Sequence, residues 1–354
     1  MKGRVSPALD RFHRSYRSHM PHSIRNPQSA IRNLSRRSFL RAGLAAGAAL
    51  AGLDARAEGK SRVVVASSAK VLRDGQALHQ AATQDLVDAA VCALAGEKDP
   101  TAAWRRFVRP NDIVGIKVSC LAGERLSTHI EVVRAIARSL ARAEVRPNRI
   151  YVWDRKLDDL VRARYPVVEA ADFLCVGNDH RNLGFAPPLI TVGEIGSFFS
   201  RLVTDACTAI INVPVLKDHD LAGVSLALKS FFGAIHNPNK YHFANLHQAI
   251  ADVNRQDDIR RKTVLHILDA TIGCAHGGPT PGPRWLERLG TIYASRDPVA
   301  LDATAWQKIE ELRKAKGLEP LLGSKREPKH IPLAAAAKVG TNDPARIEVV
   351  KLEA

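Results

Sequence analysis

The chain is poor in cysteine and aromatic residues. Its five cysteines, Cys92, Cys120, Cys175, Cys207 and Cys274, are widely spaced, with no CxxC pair and no cluster. That spacing excludes the usual zinc motifs and the ferredoxin-type 4Fe–4S motif. An odd number also leaves no complete disulfide set, so the thiols read as small buried apolar groups. Aromatics make up only 5%. No internal repeat or low-complexity tract is present. No apolar run reaches the roughly 20 residues that a membrane-spanning helix needs. After the first 57 residues there is no dense Lys/Arg block interleaved with aromatics, which argues against nucleic-acid binding.

What remains is ordinary globular composition, 45% hydrophobic and 25% charged over 354 residues. The amino-terminal part departs from it. Ser35-Arg36-Arg37-Ser38-Phe39-Leu40-Arg41 is a twin-arginine pattern, followed by the apolar run Ala42–Leu53 and the small-residue site Ala55-Arg56-Ala57. This order predicts a secretory signal over residues 1–57, cleaved after Ala57, with residues 58–354 as the mature α/β domain. Met20 is a second plausible start. The expected partner is the twin-arginine translocation machinery and the expected location the periplasm, with no stable membrane anchor. That route carries folded proteins, which raises the expectation of a metal ion or organic cofactor loaded before export. The leader holds 11 basic and 2 acidic residues, more than half of the net +16, and leaves the remainder at +7. A modest positive balance suits small anionic ligands.

Strand and helix signals alternate through the mature chain. Strands are expected at 62–67, 113–119, 149–153, 173–176, 189–192, 208–213, 263–268, 289–294 and 346–352. Helices are expected at 84–94 with Thr83 as cap, after Asp99-Pro100, and at 128–143, 157–164, 221–235, 245–254 and 297–316. The alternation predicts a three-layer α/β fold, a largely parallel or mixed sheet with helices on both faces. An irregular insertion is expected around 175–200.

Open α/β sheets bind ligands beyond the carboxyl ends of their strands. The polar residues there are Cys120 and Ser127-Thr128-His129, then Asp154, then Lys217 and His219, then Asp269 and His276, and finally Ser295, Arg296 and Asp297. If the strands are parallel neighbours, these groups converge. Each also has a local reading. Asp154 and Asp269 suit turns, and Asp297 suits a helix N-cap. Lys117 lies inside a strand and needs a partner. Asp302, five residues beyond Asp297, is placed to meet a lysine. Lys229 sits among Val224, Leu226, Leu228, Phe231 and Phe232, on a helix apolar enough to be buried. Lys217 and Lys229 together suit an anion, aided by a helix N-terminus near Leu221. His236, His242 and His247, at spacings of six and five, match no zinc motif.

Three blocks carry a family resemblance. They are IVGIKVS with STHIEVVRAIARSLARA (residues 113–143), INVPVLKDHDLAGVSLALKSFFGAI with KYH after it, and HILDATIGCAHGGPTPG with ASRDPVALDATA (residues 266–305). Together these blocks, across residues 110–310, resemble the DUF362 family, whose function is unassigned. Ser230 stands where the family usually has Asn, and the ferredoxin-like module of many members is missing. The resemblance implies a site of Lys217, His219, Lys229, His242, Asp269, Asp297 and Asp302. A fainter likeness is to lactate-racemase-type proteins, whose Lys and His surround a nickel-bearing cofactor.

The expectation is an enzyme acting on a small anionic substrate. Lys217, His219 and His242 are the candidate catalytic groups. Lys229, Lys117, Thr128, Asp154, Asp297 and Asp302 are candidate ligand-binding groups, and Asp269 with His219 and His242 a candidate metal set. The alternative is a non-catalytic metal- or cofactor-binding protein or redox partner.

Overall fold

A computed structural model of the protein describes residues 59–354 except 168–170 and 181–182. The expected leader lies outside the described residues. The strands are β1 (Ser61–Ser67), β2 (Val114–Val118), β3 (Ile150–Asp154), β4 (Leu174–Gly177), β5 (Phe185–Val192), β6 (Ile195–Ser200), β7 (Ala209–Val213), β8 (Val215–His219), β9 (Gly223–Ser225), β10 (Thr263–Cys274), β11 (Leu286–Ser295) and β12 (Ile347–Glu353). The helices are α1 (Gln80–Ala95), α2 (Pro100–Arg105), α3 (Ile130–Arg142), α4 (Leu157–Arg162), α5 (Ala227–Ser230), α6 (Leu246–Val253), α7 (Asp257–Lys262), α8 (Pro298–Ala315) and α9 (His330–Ala336).

The main sheet runs β12-β1-β11-β10-β7-β2-β3-β4. From β10 through β7, β2 and β3 to β4 every pairing is parallel. β11 is antiparallel to both β10 and β1. The fold is thus α/β with a mixed, mostly parallel sheet. Its central strands are buried along their whole length, as Val114–Val118 and Ala209–Val213 show. This is the near-continuous apolar pattern of a sheet covered on both faces.

Alternation along β10 sorts the two faces. Leu268 and Ala270 join a core with Leu228, Phe231, Ile250, Leu301 and Ile331, so α5, α6, α8 and α9 cover that face. Asp269, between them, points the other way and meets His129 at the start of α3.

Local signals explain the helix ends. The Asp99 carboxylate accepts the Ala102 N–H at 2.7 Å and Pro100 occupies the first turn of α2. Asp297 accepts the N–H groups of Val299 and Ala300 at the start of α8. α1 begins one turn earlier than expected, because His79 rather than Thr83 caps it. Thr83 instead donates its hydroxyl to the His79 carbonyl.

Two expectations fail in the middle of the chain. The expected helix over 221–235 is replaced by β9, the short α5 and a 3-10 turn over Phe231–Ala234. Pro214 interrupts the main strand, and the chain continues as β8, which pairs with the far half of β10 and folds back onto β9. The insertion near 175–200 forms a separate hairpin of β5 and β6.

Candidate anion-binding site

The chain extends past the carboxyl end of β7 as β8, whose alternation sorts the segment Lys217-Asp218-His219. Lys217 and His219 share one side and Asp218 takes the other. Asp218 is fully buried and ion-paired to Arg326, with Arg313 3.6 Å away. It also accepts the Gly278 N–H at 3.2 Å. Arg326 donates to the His219 carbonyl at 2.9 Å as well, so one guanidinium holds both residues. A Cβ at Gly278 would lie 1.8 Å from the Asp218 carbonyl oxygen, so only glycine fits this contact.

Lys229 reaches the site from α5, whose position is fixed by Asp302. That carboxylate accepts the Ala227 and Leu228 N–H groups at 2.8 and 2.9 Å. Burial pushes its pKa up to about 8, against the pull of those two N–H groups. The Asn212 amide adds a bond to the Ala227 carbonyl at 2.9 Å. The helix N-terminus expected near Leu221 does not form: a strand follows there, and the Leu221 and Ala222 N–H groups point at His219. The N-terminus of α5 itself is occupied by Asp302.

The lysines differ in their partners. Lys117, 1% exposed, donates to Asp154 at 2.9 Å. Asp154 also takes the Cys120 N–H at 2.7 Å. Gly233 lets the 3-10 turn press on this pair, since a Cβ there would lie 2.8 Å from Lys117 Cε. Lys217, 3% exposed, and the partly buried Lys229 have no carboxylate ion pair among the described residues. The Lys229 ammonium lies 5.3 Å from the centre of the Phe232 ring. Burial, and then the charge of Lys217, lower the Lys229 pKa to about 7. Burial also lowers that of Lys217, with Lys117 adding to the effect and Asp154 opposing it.

Two imidazoles complete the cluster. The His219 and His242 rings are stacked at a centroid distance of 6.0 Å, and His242 meets Phe232 edge-on at 5.8 Å. Both the Leu221 and Ala222 N–H groups donate to His219 Nδ1, at 3.2 and 3.3 Å. Asp220 Oδ1 also lies 2.9 Å from that nitrogen, but it takes the same Leu221 N–H. Two N–H groups aimed at Nδ1 make it the acceptor and leave the neutral ring's proton on Nε2. His242 is the reverse. Its Nδ1 lies 3.1 Å from the Pro238 carbonyl, which only accepts, so Nδ1 carries the proton and Nε2 is free to accept one. Burial and the Lys229 charge lower both pKa values, that of His219 to about 2.

The other expected residues are placed elsewhere. Asp269 is bonded to His129 Nδ1 at 2.8 Å and to the Thr271 hydroxyl at 2.6 Å, on the opposite face of the sheet from α5. It therefore does not join His219 and His242, and among the described residues no three His, Cys, Asp or Glu side chains are grouped to hold a metal ion. Thr128 bonds the Val213 carbonyl and the Ser119 N–H, a strand-to-loop tie. Ser295, Arg296 and Asp297 do not reach the carboxyl edge. β11 runs antiparallel, and Ser295 lies opposite His266 near the start of β10. Asp297 there caps α8 and accepts from the Ser61 hydroxyl at 2.7 Å.

Four contributors carried no readable signal. Asp218, Arg313 and Arg326 set the lysine–histidine strand, and their partners lie about a hundred residues apart. His330 is wholly buried, with Nδ1 3.2 Å from His247 Nδ1 and no partner for Nε2. Its charge, were it protonated, would be felt by His219.

Part of the chain is 28% identical over 223 residues to the thylakoid-associated protein sll1697 of Synechocystis sp., covering 58% of this chain and 65% of that protein. The chain thus matches a little under two thirds of that relative's length. A solved Thermotoga maritima protein aligns with 70% of this chain and 61% of its own, at 12% identity and a TM-score of 0.38. Residues 114–307, more than half of the chain and the stretch holding Lys117, Lys217, His219, Lys229, His242 and Asp302, match the domain of unknown function DUF362, and the protein belongs to that family.

Proposed function

We propose that the protein is an enzyme acting on a small anionic substrate. The observation that carries this reading is the contrast among the lysines. Lys117 is matched by Asp154, whereas Lys217 and Lys229 form no ion pair with a carboxylate among the described residues, and the Lys217 charge helps lower the Lys229 pKa. A buried and a partly buried cation without carboxylate partners are relieved by a bound anion, and that relief is binding energy. A carboxylate or phosphate is the kind of group that ammonium groups bind. The two histidines beside them present one ring as donor and the other as acceptor, which suits proton transfer to and from the bound molecule.

The place of action follows from the twin-arginine pattern at Arg36-Arg37 and the A-x-A site at Ala55–Ala57. On this reading the protein is exported folded to the periplasm. Amino-terminal sequencing of the exported protein should start at Glu58; an unprocessed terminus would refute it.

Calorimetric titration with inorganic phosphate and with acetate tests the site. Binding is expected in the natural protein and is lost in Lys217→Met and Lys229→Met, with the thermal transition of each variant retained. Failure of both anions to bind, or undiminished binding in both folded variants, would remove the lysine pair from the reading.

A further inference from the structure

We propose that Lys229 is a nucleophile that forms an imine with a small 2-oxo acid, while Lys217 holds the carboxylate of that acid. The inference deepens the anion-site reading and rests on it.

The geometry separates the two lysines by role. Lys217 lies on the rigid strand β8, which pairs with β10 on one side and β9 on the other. Its segment is clamped through Asp218 by Arg326 and Arg313. A fixed cation of this kind suits a fixed anion. Lys229 is different. It lies on one turn of helix held by two N–H bonds to Asp302, and its ammonium group faces the Phe232 ring at 5.3 Å. It forms no ion pair with a carboxylate among the described residues, and the pull of the Asp220 carboxylate toward the charged form is outweighed by burial and the Lys217 charge. A lysine in apolar surroundings next to a second cation is a recognised way to keep an amine unprotonated and nucleophilic. Lys217 supplies that second cation, and the Lys229 pKa of about 7 agrees.

The imidazoles match the proton steps. The Lys229 Nζ lone pair attacks the carbonyl carbon, forming a C–N bond as the C=O π pair moves to oxygen. His219 Nε2–H faces a developing oxyanion as a donor. The oxyanion takes up a proton and the attached nitrogen gives one up, leaving a neutral carbinolamine; its hydroxyl then leaves as water on taking up a second proton, and the nitrogen gives up its remaining proton in exchange. His242 Nε2, the free acceptor, is placed for that exchange with solvent, since His242 is only half-buried. The sum is amine plus ketone giving imine plus water, and no oxidant or metal is required.

The test uses the full exported protein with pyruvate as probe and sodium cyanoborohydride as trap, read by intact mass and peptide mapping. The expected result is one reduced pyruvate adduct on Lys229. It should be absent from Lys229→Arg, which keeps the charge, and retained in Ser230→Ala. Below neutral pH the yield should rise about tenfold per pH unit, as the free amine does, and level off above pH 7. Pyruvate that binds by calorimetry but leaves no adduct on Lys229, or adducts scattered over surface lysines, would overturn the imine while leaving the anion site intact. Phosphate binding without pyruvate binding would overturn the 2-oxo acid assignment. Failure of phosphate, acetate and pyruvate all to bind would overturn the anion site together with the imine.

Discussion

His219 and His242 lie with ring centroids 6.0 Å apart, and the backbone presents opposite groups to their Nδ1 atoms, N–H donors to one and a carbonyl to the other. The Leu221 and Ala222 N–H groups favour a proton on His219 Nε2, and the Pro238 carbonyl favours one on His242 Nδ1. Nitrogen NMR of histidine-labelled protein near pH 7 should therefore show one ring protonated at Nε2 and the other at Nδ1. The His219 ring should stay neutral well into the acid range, because burial and the nearby lysines lower its pKa to about 2. A His219 ring with its proton on Nδ1, shared with Asp220, would contradict the assignment.

Lys117 and Asp154 are a buried pair, and removing one partner strands a charge. Lys117→Met should cost about 3–5 kcal/mol in urea denaturation. The double variant Lys117→Met/Asp154→Leu should recover part of that loss, although the Cys120 N–H loses its acceptor. A single variant no less stable than the double would show that the pair is solvated. Gly233→Ala should also destabilise, by about 1–3 kcal/mol, since the added methyl group meets Lys117.

Asp302 acts through α5. Asp302→Ala leaves the Ala227 and Leu228 N–H groups unpaired, at about 1–3 kcal/mol each. It should also weaken phosphate binding, because Lys229 is no longer held in place. Asp302→Asn keeps one acceptor and should restore part of both losses. Equal phosphate affinity in Asp302→Ala and the natural protein would remove its positioning role.

The His129–Asp269 pair ties α3 to β10 and makes stability depend on pH. Burial disfavours the charge on each, but their mutual attraction prevails, so the His129 pKa is raised and that of Asp269 lowered. The raised histidine contributes stability that is complete below about pH 6.5 and is lost as pH rises through its folded value. The lowered aspartate contributes above about pH 3.9 and is lost as pH falls through its folded value. His129→Gln should flatten the decline in thermal stability above pH 6.5. An unchanged slope would place the alkaline loss elsewhere.

Much of the fold was readable because its signals are local. Apolar runs marked β2, β7 and β10, and Asp99 and Asp297 announced the starts of α2 and α8. The parallel β2 and β3, with β7 running into β8, carried Cys120, Asp154, Lys217 and His219 toward one edge, as the strand-end rule implies. The direction of β11 is not readable, since an antiparallel strand has the same apolar pattern as a parallel one, and that direction carries Asp297 to the edge opposite Lys217 and His219. The segment 221–235 misleads because Val224, Leu228, Phe231 and Phe232 satisfy a helical period while Gly223–Ser225 pair with β8. The clamp of Asp218 by Arg313 and Arg326 depends on contacts remote in sequence, which no spacing encodes.

Carbon-13 NMR of the lysine side chains across a pH titration tests the central claim most directly. The account predicts one lysine, lost in Lys229→Arg, that titrates near pH 7 and moves upward when phosphate is added. If every lysine titrates near the ordinary value of about 10.4, and phosphate shifts none of them, the unpaired cations at Lys217 and Lys229 do not form an anion site.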